Sequence, residues 1–235
     1  WAYLPPNMIG NLEKIPSNNA NVTNAIYGID GSPIVKDIYY DDTPNDGRNN
    51  PVWKTIALVG LGAGGHGYFA LDITNPQSPI HLFAIENDPT NQAVKHWDKD
   101  GFKNEFGYAG GGISANMDYR KLGEAWSTPR IIRVKHSGKD KWVAVFGAGY
   151  NGSVNPNYGS AVFVMDLEDE GRLLQKIDIT DLSSSNIVNS VPADLTVITA
   201  DGTDKANYNG AMVYAADLEG KITKINLTDT GTMYQ

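Results

Sequence analysis

The chain repeats itself, and a repeat constrains a fold more than any single motif, because each copy must be one supersecondary unit that buries its apolar faces against the next. Segments 31–40 (GSPIVKDIYY), 127–136 (STPRIIRVKH) and 190–199 (SVPADLTVIT) each set a proline, Pro33, Pro129 or Pro192, ahead of an alternating apolar run. Proline suits that first position, since it has no N–H to give to a ladder. Segments 56–62 (IALVGLG), 143–149 (VAVFGAG) and 212–218 (MVYAADL) come next as apolar strands with small residues near their ends. Segments 68–74 (YFALDIT), 162–168 (VFVMDLE) and 222–228 (ITKINLT) then place Asp72, Asp166 and Asn226 at matching positions. Two units add a fourth run, 80–86 (IHLFAIE) and 173–179 (LLQKIDI). Each unit is expected to be a four-stranded antiparallel meander.

A lone meander cannot bury both of its faces, and the usual solution is radial stacking as blades. The expected fold class is therefore all-β, a β-propeller seen as a partial ring of about three four-stranded blades. A β-sandwich of the same strands is the alternative, and the repeated strand order favours the propeller. The opening WAYLPP is read as the closing strand of a blade lying upstream, and the third unit stops before a fourth strand is clear. Residues 1–235 are accordingly expected to form one propeller domain or part of one, with the parent's N-terminal region and targeting signal further upstream. Segment 87–126 interrupts the rhythm with charge, glycine and aromatics and is expected to be an ordered insertion on the rim.

Residues Gly62-Ala63-Gly64-Gly65-His66-Gly67 spell the G-x-G-x-x-G of a dinucleotide-binding turn, a motif that works only when a helix N-terminus comes directly after it. Residues 68–74 are instead aromatic and β-branched and are closed off by Asn75-Pro76, so a hairpin is expected and its glycines serve backbone conformation.

Composition narrows function. With 41% hydrophobic residues among 235, the chain can bury a sizeable core. A net charge of −8, from 19 basic and 27 acidic residues, lacks the footprint of a nucleic-acid binder. No window approaches the ~20 apolar residues of a membrane-spanning helix. The absence of cysteine removes disulfides and thiolate chemistry.

The four histidines, His66, His81, His96 and His136, show no zinc-ligand spacing. Asp98, Asp100 and Gly101 form a fragment of a calcium loop and are read as a solvated turn, and Asp41, Asp42 and Asp46 are read as a connection. Asp72 and Asp166 are expected to accept hydrogen bonds from turn N–H groups, a scaffolding role instead of paired catalytic acids. Ser183, Ser184 and Ser185 lie in no nucleophile elbow, so no catalytic residue is expected. Trp53 and Trp142 are read as blade-packing anchors, whereas Trp97 and Trp126, in or beside the insertion, mark the first place to look for a partner surface.

LVGLGAGGHGYFALDIT, STPRII with WVAVFGAGYN, SAVFVMDLEDEGRLLQKIDI and VYAADLEGKITKINL, in that order, closely resemble the C-terminal propeller of the PilC/PilY family of type IV pilus tip-associated adhesin and biogenesis proteins. The opening WAYLPPNM and YGIDGSPIVKDIYY are similar to that family's entry into the domain, so the resemblance runs across essentially the whole chain. It implies a non-catalytic module at the cell surface or pilus tip, outer-membrane associated or extracellular. Its partners would be major or minor pilins and a host or surface ligand, and its roles pilus extension, twitching motility and attachment. It also implies a calcium loop of the D-x-D-x-D-x-x-x-D type ahead of a YAGDL-like hairpin. The matching place is ADGTDKANYNGAMVYAADL, which offers Asp201, Thr203, Asp204, Asn207 and Asn209. Calcium takes about six to eight hard oxygens at alternating loop positions. Here the first acids stand at i and i+3, and Lys205 occupies a place where a ligand is expected, so weaker binding than the family pattern is expected. The competing reading is an Asp-Gly and Asn-Gly turn between two strands. Two further alternatives stay open: a quinoprotein-like dehydrogenase propeller, for which no tryptophan stack, quinone-binding basic set or catalytic aspartate is identifiable, and a purely structural propeller.

Overall fold

The computed structural model describes residues 1–12, 26–40, 51–150, 158–180, 189–199 and 210–228. The fold is all-β, and the described residues form three antiparallel sheets in which each strand pairs with its neighbour in sequence. The first sheet holds β1 (Ile34–Tyr40), β2 (Val52–Gly60), β3 (Gly67–Asp72), β4 (Ile80–Asp88), β5 (Ala93–Asp98) and β6 (Gly101–Gly107). The second holds β7 (Arg130–His136), β8 (Lys139–Gly147), β9 (Ala161–Asp166) and β10 (Leu173–Asp178). The third holds β11 (Thr196–Thr199), β12 (Ala211–Ala216) and β13 (Ile222–Asn226). Pro33 and Pro129 stand immediately before β1 and β7, whereas Pro192 is separated from β11 by residues 193–195.

Successive side chains of a strand point to opposite faces, and the middle strands use both faces for burial. In β8, Ala144 and Phe146 pack toward the first sheet, joining Tyr68 and Phe83 in one core, while Val143 and Val145 join Val213 and Ile225 of the third sheet in another. The ring centroid of Phe146 lies 4.3 Å from that of Tyr68 and 5.7 Å from that of Phe163. The near-continuous apolar run of β8 results from this double burial. The first strands of the three sheets face a common space of about 250 Å³, lined by Ile34 and Lys36 of β1, Arg130 and Ile132 of β7, and Thr196 and Val197 of β11. Sheets stacked face to face with their first strands inward are blades about an axis. Among the described residues they form an open arc, not a closed ring.

Three features depart from the sequence reading. Residues 1–6 form no closing strand: Pro5 and Pro6 supply no N–H groups, Pro6–Met8 is a 3₁₀ turn, and α1 (Ile9–Leu12) continues from it. This segment lies over the outer face of the first sheet, where Met8 and Tyr3 join Phe69 and Leu71. Segment 87–126, read as a rim insertion, includes β5 and β6, which widen the first sheet to six strands. Its remainder runs between the first two sheets, with Met117, Tyr119 and Leu122 fully buried in their shared core. The two tryptophans also part company. Trp142 is buried and donates through Nε1 to the Tyr39 carbonyl (3.1 Å), linking the first two sheets. Trp53 is 59% exposed against Tyr39, because it lies toward the side of the first sheet that no earlier sheet covers among the described residues.

Candidate functional site

The glycine motif sits between β2 and β3, so a strand and not a helix succeeds it. Its backbone couples blades. Gly62, at φ +59°, donates its N–H to the Ala125 carbonyl at 3.2 Å, Ala125 returns an N–H to Gly65 at 3.2 Å, and Asp30 donates to Leu61 at 3.1 Å. Gly149, at φ +81°, repeats the device one unit later by donating to the Val191 carbonyl at 3.0 Å. Each bridge falls just ahead of the next unit's proline, where the chain steps between sheets. The left-handed backbone that both positions require is the region glycine enters without penalty.

Side chains that the sequence reading did not single out finish this end of the molecule. The buried Tyr68 hydroxyl donates to the Ser127 carbonyl (2.8 Å), and Ser127 Oγ accepts the Gly147 N–H (3.0 Å). Asn87, 1% exposed, donates through Nδ2 to the carbonyls of Leu122 (2.7 Å) and Arg120 (3.2 Å), accepts from the Tyr108 hydroxyl, and gives its backbone N–H to His66 (2.9 Å). A polar residue at the end of an apolar strand was the available signal.

At the opposite strand ends the recurrent acids hold turns, as the spacing suggested. Asp72 accepts the Thr74 N–H (3.0 Å) and hydroxyl (2.6 Å) and pairs with Lys54 at 3.2 Å. Asp166 accepts the Glu168 N–H (2.8 Å) and pairs with Lys141 at 3.1 Å. The next acceptor repeats as well: Thr74 Oγ1 takes the Thr55 N–H at 3.0 Å, and Glu168 Oε1 takes the Trp142 N–H at 2.7 Å. Asn226 accepts from Thr228 in the third unit. The two carboxyls titrate in opposite directions. Burial pushes Asp72 up, but the Thr74 donors and Lys54 outweigh it and hold the group below its usual range. For Asp166 burial prevails over Lys141 and the Glu168 N–H, with Asp169 adding to the upward push. Burial also raises Glu168, whose carboxylate sits against that of Asp166.

A cleft of about 510 Å³ opens where the 6–11 turn, the glycine hairpin and the β4–β5 turn meet. The turn from Pro6 to Asn11 forms one wall, Gly64 to His66 a second, and Glu86 to Asn91 with Lys95 and Trp97 the remainder. Lys95 pairs with Asp88 at 2.6 Å, and Asn91 closes the turn on the same carboxylate. Burial pushes Asp88 up, but Lys95 and Asn91 bring it down to about 2. His66, in the glycine hairpin, is half-buried, and burial depresses its imidazole pKa.

Asp201, Thr203, Asp204, Asn207 and Asn209 lie outside the described residues, as do Asp41, Asp42, Asp46, Ser183, Ser184 and Ser185. Asp98 accepts the Asp100 N–H (2.9 Å) in the β5–β6 turn, with Gly101 at φ +118°. His96 is buried and donates through Nε2 to the Glu170 carbonyl of the second sheet (2.9 Å), whereas His81 meets the Tyr3 hydroxyl through Nδ1 (2.5 Å). Trp97 is half-buried in β5, and Trp126 is 40% exposed with Nε1 donating to Glu124 (2.9 Å). These two tryptophans do not form one patch of equal exposure.

Stacked antiparallel meanders with inward first strands define a segment of a β-propeller. The chain belongs to the PilY1 beta-propeller domain family, whose model matches residues 7–232. It is 29% identical over 228 residues to the type IV pilus biogenesis factor PilY1 of Pseudomonas aeruginosa strain UCBPP-PA14, covering 97% of this chain and 15% of that protein. It is 27% identical over 208 residues to the PilY1 homolog of Xylella fastidiosa strain Temecula1, covering 86% of this chain and 11% of that protein. The crystal structure of the P. aeruginosa PilY1 C-terminal domain superposes with a TM-score of 0.59 at 23% identity, over 97% of this chain and 34% of that one, which shows a shared fold. The family resemblance carried by the glycine hairpin and the FGAGYN and YAADLEG segments is thus shown, while the chain spans only a small part of its curated relatives.

Replacing Glu168 with Thr gives the second unit the corner chemistry of the first. A carboxyl NMR titration should then find the Asp166 pKa lowered, because a neighbouring carboxylate is gone while a hydroxyl can still take the Trp142 N–H. An unchanged or higher Asp166 pKa would contradict the equivalence of the two corners.

Proposed function

We propose that this chain is a non-catalytic module of type IV pilus biogenesis that acts at the cell surface or pilus tip. The observation that carries the reading is family membership over residues 7–232, together with relatives named as type IV pilus biogenesis factors. The geometry supports it: the recurrent carboxylates are consumed by turn N–H groups and lysines, which leaves the strand-end loops as the surfaces available for recognition. Major or minor pilins and a surface or host ligand are the proposed partners, and pilus extension, twitching motility and attachment the proposed outcomes. Deleting the segment from its parent gene should reduce surface pili and twitching. Wild-type piliation in cells that secrete the deleted protein at normal levels would count against the reading.

Calcium regulation is part of the proposal. Asp201, Thr203, Asp204, Asn207 and Asn209, between the ends of β11 and β12, offer two carboxylates, a hydroxyl and two amides, all hard oxygens of the kind calcium takes. The short carboxylate count and Lys205 set the affinity low. A ligand that binds only the folded state stabilises it by mass action. Calcium should therefore raise the thermal midpoint, a chelator should reverse the rise, and Asp201→Ala should abolish the difference. A wild-type midpoint indifferent to calcium would dismiss the site.

A further inference from the structure

Segment 1–12 lies over the outer face of the first sheet, where Tyr3 and Met8 join Phe69 and Leu71 of β3 and the Tyr3 ring centroid is 5.6 Å from that of Phe69. Its polar ties to the sheet and its turns include Trp1 Nε1 to the Pro76 carbonyl (2.5 Å), Asn11 Nδ2 to the Gly64 carbonyl (2.8 Å) and the Tyr3 hydroxyl to His81 Nδ1 (2.5 Å). A segment held by a small set of contacts opens locally at a lower free energy than core strands do.

The tie to His81 depends on a proton. His81 of β4 is half-buried and stacks on Tyr3, with ring centroids 6.0 Å apart, and its Nε2 is buried with no hydrogen-bond partner among the described residues. A neutral imidazole has one donor and one acceptor nitrogen, so Nδ1 can accept the Tyr3 proton. An imidazolium has two donors: Nδ1 no longer accepts, and the Nε2–H is held where no acceptor meets it. Tyr3 gives no relief by ionising, since burial pushes its pKa up to about 12, and segment 1–12 carries no charged side chain. Around the ring, Asp98 of β5 favours the imidazolium and His96 of β5 opposes it, while Asp72 on the partner strand β3 is engaged by Thr74 and Lys54. Burial outweighs Asp98 and holds the His81 pKa below its ordinary value. His66, which lines the same cleft as the Pro6–Asn11 turn, is also depressed by burial, against the pull of Glu124 and Asp88.

We propose that residues 1–12 form an acid-released latch: protonation of His81 ends its acceptance of the Tyr3 hydroxyl and frees the segment from the outer face of the first sheet, baring Phe69 and Leu71. The sign follows from linkage. A group with lower proton affinity in the docked state takes up its proton preferentially when undocked. Docking is therefore at full strength above the ordinary imidazole pKa of about 6.5 and weakens as pH falls below it. The latch does not depend on a role in pilus assembly.

Native-state hydrogen exchange of the chain, read at the Met8 amide, tests it. Met8 is buried and its N–H donates to the Pro5 carbonyl at 3.0 Å. Corrected for intrinsic exchange, its protection should fall about fivefold or more between pH 7.5 and 5.0, while that of Val145 in β8 falls less than about twofold. His81→Phe keeps a ring against Tyr3 but cannot titrate, and should hold the Met8 change below about twofold; His66→Gln should retain the wild-type fall. Should His81→Phe lose its circular-dichroism signature, an NMR titration of the His81 ring in the wild type decides: a midpoint below about 6.5 supports the latch, and one at or above it overturns it. The proposal is also overturned by Met8 protection that does not change with pH, by an equal fall at Val145, by a full fall in folded His81→Phe, or by loss of the effect in His66→Gln.

Discussion

The burial of β8 and β9 on both faces is the constraint on which the rest of the structure depends. A strand with one face in the core tolerates polar residues on the other, but Val143 to Gly147 and Ala161 to Asp166 are buried throughout. Neither face of the second sheet can be left to water at a gain of roughly 25 cal/mol for each Å² of apolar surface covered. A sheet therefore has to stand on each side of it, and the first and third sheets do so through separate clusters. The 108–126 segment answers the same demand, since Met117, Tyr119 and Leu122 help fill the core that the first two sheets share. The glycine bridges at Gly62 and Gly149 then fix how the chain steps from one sheet to the next.

This arrangement decides where function can reside. Keeping the stack intact ties the strand interiors to packing and the recurrent acids to their turns, so recognition falls to the loops that project from the strand ends. One end carries the glycine hairpin, the Asn87 ties and the polar cleft. The other carries the Asp72 and Asp166 corners.

Much of this was legible in the sequence, for reasons that can be named. The repeated proline, apolar run and terminal acid locate β1 to β4 and β7 to β10, because period-two patterning and proline chemistry are local. The turn role of Asp72 and Asp166 was legible because it rests on an acceptor two residues ahead of an N–H. The features that escaped depend on distant contacts. β5 carries Lys95, His96 and Trp97, and β6 carries Asn104 and Glu105, so neither resembles the other strands, and only pairing along β4 reveals them. The burial of Tyr119 has no periodicity to announce it, since its segment is irregular. Trp53 and Trp142 both stand just ahead of equivalent strands, and the absence of an earlier sheet from the described residues on one side and the presence of the first sheet on the other leave Trp53 exposed and Trp142 buried. The cleft escaped entirely, because it gathers residues 6–11, 64–66 and 86–97 from three separate segments.

Through their shared core the first two sheets form one cooperative unit, and this is the central claim. Native-state hydrogen exchange in Phe146→Ala tests it most directly, because Phe146 is fully buried between Tyr68 of β3 and Phe163 of β9. Removing a buried phenylalanine costs about 3–5 kcal/mol. Amides of β3 and β9 should lose protection together and by equal amounts. Loss confined to β9, with β3 keeping its wild-type protection, would mean that the sheets are independent and the account is wrong.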